Sequence, residues 1–257
     1  MDIVSNSCQI ALKKHFGFSQ FKGRQEEIIT SVLSGQNTFV IMPTGGGKSM
    51  CYQLPALMMG ENTRSLTVII SPLQSLMKDQ VDNLQSKNIN RSAMINGLLD
   101  PIERAKNIER VFKGEVSILY IAPESLRSKT IERIMLSRDI ARFVIDEAHC
   151  FSTWGQDFRV DYLYIADFIK NIQEKKNNNK IIPVSCFTAT AKLNVIKDIE
   201  EYFMNKLNLP MEKITSASTR KNLKFKVFSV KDESEKYNKL RELIDSKDCP
   251  TIIYASR

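Results

Sequence analysis

The chain has 257 residues, with 37 Lys and Arg against 29 Asp and Glu, a formal charge of +8 that leans toward a polyanionic partner. At 42% hydrophobic and 26% charged residues it sits among globular domains, outside the disordered, collagen-like and membrane classes. No apolar run nears the roughly 18 residues of a spanning helix, the N-terminus lacks the order of a signal peptide, and five widely spaced cysteines form no C-x-x-C pair; these features argue against a membrane protein, a disulfide scaffold and a zinc site, and for an intracellular chain with reduced thiols.

Short apolar runs alternate with helical patterns along the chain. The spacing predicts strands at Thr38–Met42, Leu66–Ser71, Ser117–Ile121, Phe143–Asp146 and Ile181–Phe187. It predicts amphipathic helices at Leu73–Gln85, Pro101–Phe112, Tyr162–Gln173 and Asn194–Leu207. Alternating strands and helices form right-handed crossovers, so the expected fold is α/β, a doubly wound parallel sheet covered on both faces. Val68-Ile69-Ile70, apolar without alternation, suits a strand buried on both sides. Glu174–Lys180 is too polar to bury and reads as a surface loop. From Lys213 to Lys231 basic residues occur without a single acid, which reads first as a solvated edge or linker and second as a nucleic-acid contact. A helix is expected at Glu235–Ile244 and a strand at Thr251–Tyr254, the opening of another unit. The expected division is therefore residues 1–212, a basic linker over 213–230, and the beginning of a second, incomplete domain over 231–257.

The first strand runs directly into Pro43-Thr44-Gly45-Gly46-Gly47-Lys48-Ser49, with a helix starting near Lys48. Glycines let successive backbone N–H groups of Thr44, Gly45, Gly46 and Gly47 turn toward phosphate oxygens, and the helix N-terminus adds partial positive charge. Lys48 then reaches the β- and γ-phosphates, and the Ser49 hydroxyl stands where Mg²⁺ sits. Met42 occupies the position where a strict G-x-x-x-x-G-K-[ST] has glycine, and the competing reading is a Gly-rich turn that ends in Lys-Ser. Farther along, Phe143-Val144-Ile145 delivers Asp146 and Glu147 at a strand's C-terminal end, where open α/β sheets place their ligands. Asp146 suits holding Mg²⁺, partly through water, and Glu147 suits polarising the attacking water. Paired carboxylates there could otherwise be an ordinary helix N-terminus.

These blocks resemble those of superfamily 2 helicases and, more narrowly, the RecQ family of DNA helicases. The match takes in Phe16-Gly17-Phe18, Phe21-Lys22 and Gln25-Glu26-Glu27, then Met42 to Ser49, then Ser71-Pro72-Leu73 through Asp79-Gln80. It continues through Tyr120-Ile121-Ala122-Pro123-Glu124, Asp146 to Cys150 (DEAHC), Trp154-Gly155 with Asp157-Phe158-Arg159, Thr188-Ala189-Thr190-Ala191, and Ile252-Ile253-Tyr254 with Ser256-Arg257.

The resemblance implies a RecA-like motor domain that takes ATP and Mg²⁺, acts on single-stranded and duplex DNA, and unwinds it 3′ to 5′ in repair and recombination, in the nucleoid or the nucleus. It implies that Gln25 reads the adenine edge with Phe18 and Lys22 flanking the base, and that Lys48, Asp146 and Glu147 carry hydrolysis. His149, Trp154, Phe158, Arg159, Thr188 and Thr190 would bind DNA and couple it to the hydrolytic centre, although by their residues alone Trp154 could be a buried anchor and Thr188 to Thr190 a turn. It also implies that the second motor domain, with its arginine finger, is missing beyond Arg257, which leaves slow turnover and no unwinding by this chain alone. Two other readings stand beside it: an RNA helicase of DEAD/DEAH type, and a truncated module that binds nucleotide or DNA without catalysis.

Overall fold

The computed structural model describes residues 3–151, 156–177, 180–189, 193–216, 224–246 and 248–255. The chain divides into two units, residues 1–218 and 219–257. The first opens with α1 (Ile3–Phe16) and α2 (Gln25–Leu33), then alternates β1 (Thr38–Ile41), α3 (Lys48–Thr63), β2 (Leu66–Ile70), α4 (Gln74–Gln85), β3 (Ser92–Ile95), α5 (Pro101–Phe112) and β4 (Ile118–Ile121). A 3-10 turn at Pro123–Arg127 leads to α6 (Lys129–Ser137), β5 (Ile140–Ile145), a second 3-10 turn at Ala148–Phe151, α7 (Gln156–Leu163), α8 (Ile165–Lys176), β6 (Val184–Thr188), α9 (Leu193–Leu207) and β7 (Glu212–Thr215). The seven strands form one parallel sheet in the order β3-β4-β2-β5-β6-β1-β7.

That order explains the two layers of helices. From β1 the chain steps across to β2 and on to β3, then reverses and returns through β4, β5 and β6 to β7. A right-handed crossover places its helix on the opposite face when the direction of travel reverses. Accordingly α1 to α4 pack on one face, where Leu12, Ile28, Leu57, Met77 and Val81 meet Val40, Ile69, Tyr120, Val144 and Phe187. Helices α5, α6, α8 and α9 cover the other, where Val111, Ile134, Ile169 and Phe203 meet Phe39, Val68, Phe143, Ile145 and Cys186. Neighbouring strand residues alternate between the two layers, as the pleat requires.

Helix α5 keeps the bounds predicted for it because its start is written locally. Pro101 fills the first helical position and the Asp100 carboxylate accepts from the Ile102 N–H at 2.9 Å. Two buried arginines close the far end of the sheet. Arg142 donates to Gln36 O and Ser185 Oγ at 2.8 Å and to Val32 O at 2.7 Å, and Arg138 donates to Arg64 O at 2.6 Å, to Val116 O at 3.3 Å and to Val111 O. Each ties helix-end or loop carbonyls that would otherwise be orphaned. Burial pulls the Arg142 guanidinium down to about 10, so it keeps its charge at neutral pH.

The structure differs from the sequence expectation at several places. Strands β3 and β7 were not anticipated. Residues 213–215, assigned to the linker by the charge run, belong to β7 and pair with Phe39, Val40 and Ile41. Ile181–Pro183 lies outside β6: the Ile182 N–H is taken by the Gln173 side chain at 2.8 Å, and Pro183 has no N–H to give. The helix expected from Tyr162 is split, with Tyr162 near the end of α7 and α8 starting at Ile165. In the second unit α10 (Glu233–Asp245) forms, capped by Asp232, whose carboxylate accepts from the Glu235 N–H at 2.8 Å. Thr251–Tyr254, expected as a strand, is not in one and is exposed: a strand without a paired neighbour has nothing to satisfy its backbone. Among the described residues no helix is long and apolar enough to cross a membrane.

Candidate nucleotide site

The C-terminal tips of β1, β6 and β5 lie side by side, and the expected catalytic groups sit on them. After β1 the backbone curls through Gly45 (φ +79) and Gly47 (φ +83), with Gly46 N–H donating to Pro43 O at 2.9 Å. A side chain has no room here. A Cβ on Gly46 would stand 2.9 Å from Pro43 O, and one on Gly47 only 2.3 Å from Gln25 Nε2. The loop is thus a bare backbone cradle that ends in the N-terminus of α3, which fits a run of phosphate oxygens.

Lys48 Nζ donates to Glu147 Oε1 at 3.1 Å, joining the phosphate loop to the end of β5 across the intervening β6. Glu147 has φ +49, a left-handed conformation that costs a non-glycine residue about 1–2 kcal/mol. Its other oxygen, Oε2, lies 3.2 Å from His149 Nδ1, which is also 3.1 Å from Thr188 Oγ1 at the tip of β6. A carboxylate only accepts, so the network assigns the Nδ1 proton to His149, shared between Glu147 and Thr188. The His149 hydrogen bond, followed by the Lys48 charge, holds the Glu147 carboxyl below the usual carboxylate range against the opposing effect of burial.

Asp146 is 4% exposed. Burial pushes its carboxyl upward, and the Lys48 charge opposes that push. Its Oδ1 accepts from the Glu147 N–H at 3.0 Å and its Oδ2 from the Tyr52 hydroxyl at 3.3 Å. Tyr52 follows Ser49 by three residues on the same face of α3, so the residue that bonds to Asp146 is a helical neighbour of the other residue expected to hold Mg²⁺. A buried carboxylate and a hydroxyl are hard oxygen donors, and Mg²⁺ takes one or two such groups from a protein and the rest from phosphate and water. The donor set fits that ion.

Gln25, expected at the adenine, is 3% exposed and tied into the loop: its Nε2 donates to Gly46 O at 3.1 Å and its Oε1 accepts from the Lys22 N–H at 2.8 Å. Phe18 and Lys22 are exposed beside it. Phe158 and Arg159 lie on α7, next in the chain to the 3-10 turn that carries His149. Trp154 and Thr190 fall outside the described residues. Tyr52 is the residue that sequence reading passes over, since a tyrosine in an apolar helix looks like core; the signal available was its place three residues after Ser49, on the same face of α3.

A parallel sheet with a bare glycine loop at one strand tip and paired carboxylates two strands away is a RecA-like α/β fold with the layout of a nucleotide site. Residues 22–199 match the DEAD/DEAH box helicase family, and the chain belongs to that family. It is 37% identical over 247 residues to the probable ATP-dependent DNA helicase RecS of Bacillus subtilis, covering 96% of this chain and 46% of that protein. It is 41% identical over 229 residues to the ATP-dependent DNA helicase RecQ of the same organism, covering 88% of this chain and 36% of that one. The chain therefore spans less than half the length of these curated relatives. The crystal structure of the DUF1998 helicase MrfA superposes with a TM-score of 0.68 at 20% identity, over 96% of this chain and 37% of that one, a likeness of fold.

Proposed function

We propose that this chain binds Mg-ATP at the Lys48 loop and is the first motor domain of a RecQ-type DNA helicase, one that couples ATP hydrolysis to 3′ to 5′ movement on a single strand and to unwinding of duplex DNA. The observation that carries the reading is the convergence of Lys48, Ser49, Asp146 and Glu147 at one end of the sheet, with Lys48 Nζ 3.1 Å from Glu147 Oε1. Residues 231–257 are the start of a second motor domain, without which strand separation does not proceed.

The chemistry follows from the charges. Incoming β- and γ-phosphates carry more negative charge than one carboxylate and draw the Lys48 ammonium away from Glu147. Glu147, released on one oxygen and still held by His149 on the other, accepts a hydrogen bond from the attacking water and orients it in line with the γ-phosphate. Its lowered pKa suits orienting a water better than removing its proton early. Ser49 and Asp146 would hold Mg²⁺, which would supply positive charge against the negative charge of the phosphates. Gln25 links the phosphate loop to the Phe18 and Lys22 side of the site, where the adenine stacks. His149, bonded to Glu147 and Thr188, comes a few residues before Trp154, Phe158 and Arg159 in the chain, and Thr188 two before Thr190, so a single strand bound through those residues would change the hold on the water-orienting carboxylate. The names of the relatives support DNA over RNA, and a function at DNA supports a nucleoid or nuclear location.

The experiment is titration of a fluorescent ATP analogue with Mg²⁺ into the parent and Lys48→Ala, followed by turnover with single-stranded DNA or RNA. A fall in affinity of at least about tenfold in Lys48→Ala, and greater stimulation by DNA, are expected. Equal affinity in the two proteins would sink the nucleotide site, and greater stimulation by RNA would sink the substrate.

A further inference from the structure

Gln25, the residue placed at the adenine, closes a tight turn that starts at Lys22. The Gln25 N–H donates to Lys22 O at 3.1 Å, and the Lys22 N–H donates back to Gln25 Oε1 at 2.8 Å. Gly23, at φ +54, forms the corner. Glycine restrains the backbone least of all residues, so a turn built on one keeps its shape when groups outside it take hold. Phe21 packs against the core at the start of the turn, and Gln25 Nε2 holds Gly46 O at 3.1 Å at its end. Arg24 supplies a third hold, on β7. Its Nη1 donates to Thr215 O at 2.8 Å, while Nε donates to Glu27 Oε2 at 2.6 Å and Nη2 to Glu27 Oε1. The Glu27 carboxylate, three residues on in α2, thus grips the guanidinium as a fork and leaves Nη1 for β7. Thr215 is a firm post, because the next N–H, that of Ser216, donates to Ile41 O at 2.9 Å, where β1 ends before the phosphate loop.

We propose that Arg24 is a positioning residue for the base: by tying the Lys22–Gln25 turn to the end of β7, it sets how strongly the site prefers adenine to another purine. A turn already held in its binding shape has less freedom to lose when the base arrives, and that saving belongs only to a base the turn recognises. Arg24 acts through Gln25, since its own donors are committed to Glu27 and Thr215. The residue stands between Phe21-Lys22 and Gln25-Glu26-Glu27, the two blocks that carry the family resemblance in this stretch, and belongs to neither. Its side chain is 43% exposed, so water competes for the same bonds and the effect is several-fold rather than hundredfold. The proposal rests on the reading of Gln25 as the adenine-binding residue, and adds to it the group that holds the turn in place.

The test titrates ADP and GDP, each carrying a fluorescent group on the ribose, into the 257-residue chain with Mg²⁺, so no turnover is needed. Arg24→Ala should weaken ADP binding about fivefold and leave GDP binding, which draws on the phosphate loop alone, within about twofold of the parent. Arg24→Lys, a single point donor that serves Thr215 or Glu27 but not both, should fall between the parent and Arg24→Ala. Glu27→Ala, which leaves the guanidinium without its fork, should weaken ADP binding about threefold, again with little effect on GDP. Equal losses for ADP and GDP in Arg24→Ala, the mark of a merely structural role, overturn the proposal, as does ADP binding that stays at the parent's level. If Arg24→Ala does not fold, Glu27→Ala decides by the same comparison. A parent that binds ADP and GDP equally well would take down the reading of Gln25 itself. A parent that prefers ADP, with that preference intact in Arg24→Ala, takes down the role of Arg24 alone.

Discussion

Gly47→Ala is the substitution whose cost the structure fixes best. The residue has φ +83, where an L side chain is strained by about 1–2 kcal/mol. The new methyl would lie 2.3 Å from Gln25 Nε2. A glutamine end normally moves aside at little cost, but this one is bound at both ends, to Gly46 O at 3.1 Å and by the Lys22 N–H at 2.8 Å. Displacing it forfeits both bonds, about 0.5–1.5 kcal/mol each, so the total is on the order of 2–5 kcal/mol. Gln25→Ala loses the same two bonds but opens the space, and in that background Gly47→Ala should cost only the backbone strain. A double-mutant cycle by urea unfolding should therefore return a coupling of about 1–3 kcal/mol, with the double variant more stable than additivity allows. If Gly47→Ala costs the same in both backgrounds, the Gln25 contact is not what demands glycine, and the account of the loop is wrong.

Glu147→Gln should leave nucleotide affinity within a few-fold of the parent yet lower turnover at least about a hundredfold, since it removes the charge that orients the water; single-turnover ATP hydrolysis reads both effects, and retained turnover would exclude Glu147 from that role. Arg142→Met strips three oxygens of their donor in a buried place, and should destabilise the chain by about 3–5 kcal/mol in denaturant unfolding, with nucleotide affinity unchanged in the folded fraction. The 257-residue chain alone should give no strand separation on a forked duplex, because alternating grip needs two complete motor domains. Its single-strand binding should weaken as salt rises, through release of counterions. ATP-dependent product at substoichiometric protein would overturn the two-domain argument.

What was legible in the sequence was what chemistry writes locally. The Lys48 loop and the Asp146–Glu147 pair could be read because phosphate and metal demand particular residues in tight spacing, and α5 because Asp100-Pro101 starts it. The strands buried on both faces were legible from apolar runs. Strand β3 was not: Ser-Ala-Met-Ile has a single β-branched residue, and its strand state comes from pairing with β4, while Arg110 and Asn107 of α5 donate to the carbonyls of Ser92 and Met94 on this edge strand. Strand β7 was hidden for the reason edge strands are, since Glu212 and Lys213 are polar and only Ile214 is buried. The hold of Gln25 on Gly46 and that of the Tyr52 hydroxyl on Asp146 depend on contacts distant in sequence, which no local pattern encodes.

The placement of β6 between β1 and β5 has a consequence for how the chain acquires its fold. The strand that carries the phosphate loop is complete by residue 41, yet neither of its neighbours is near it in the chain: Thr38 pairs with Ser185, 147 residues later, and on its other side with Glu212. On a ribosome, β1 emerges long before either partner and must wait with both edges open. Closing such a long loop is an entropic cost that comes before any pairing rewards it, which makes this sheet slow to form from the unfolded chain. The same two late strands that seat the loop thus set the interval in which the nascent protein is most open to aggregation.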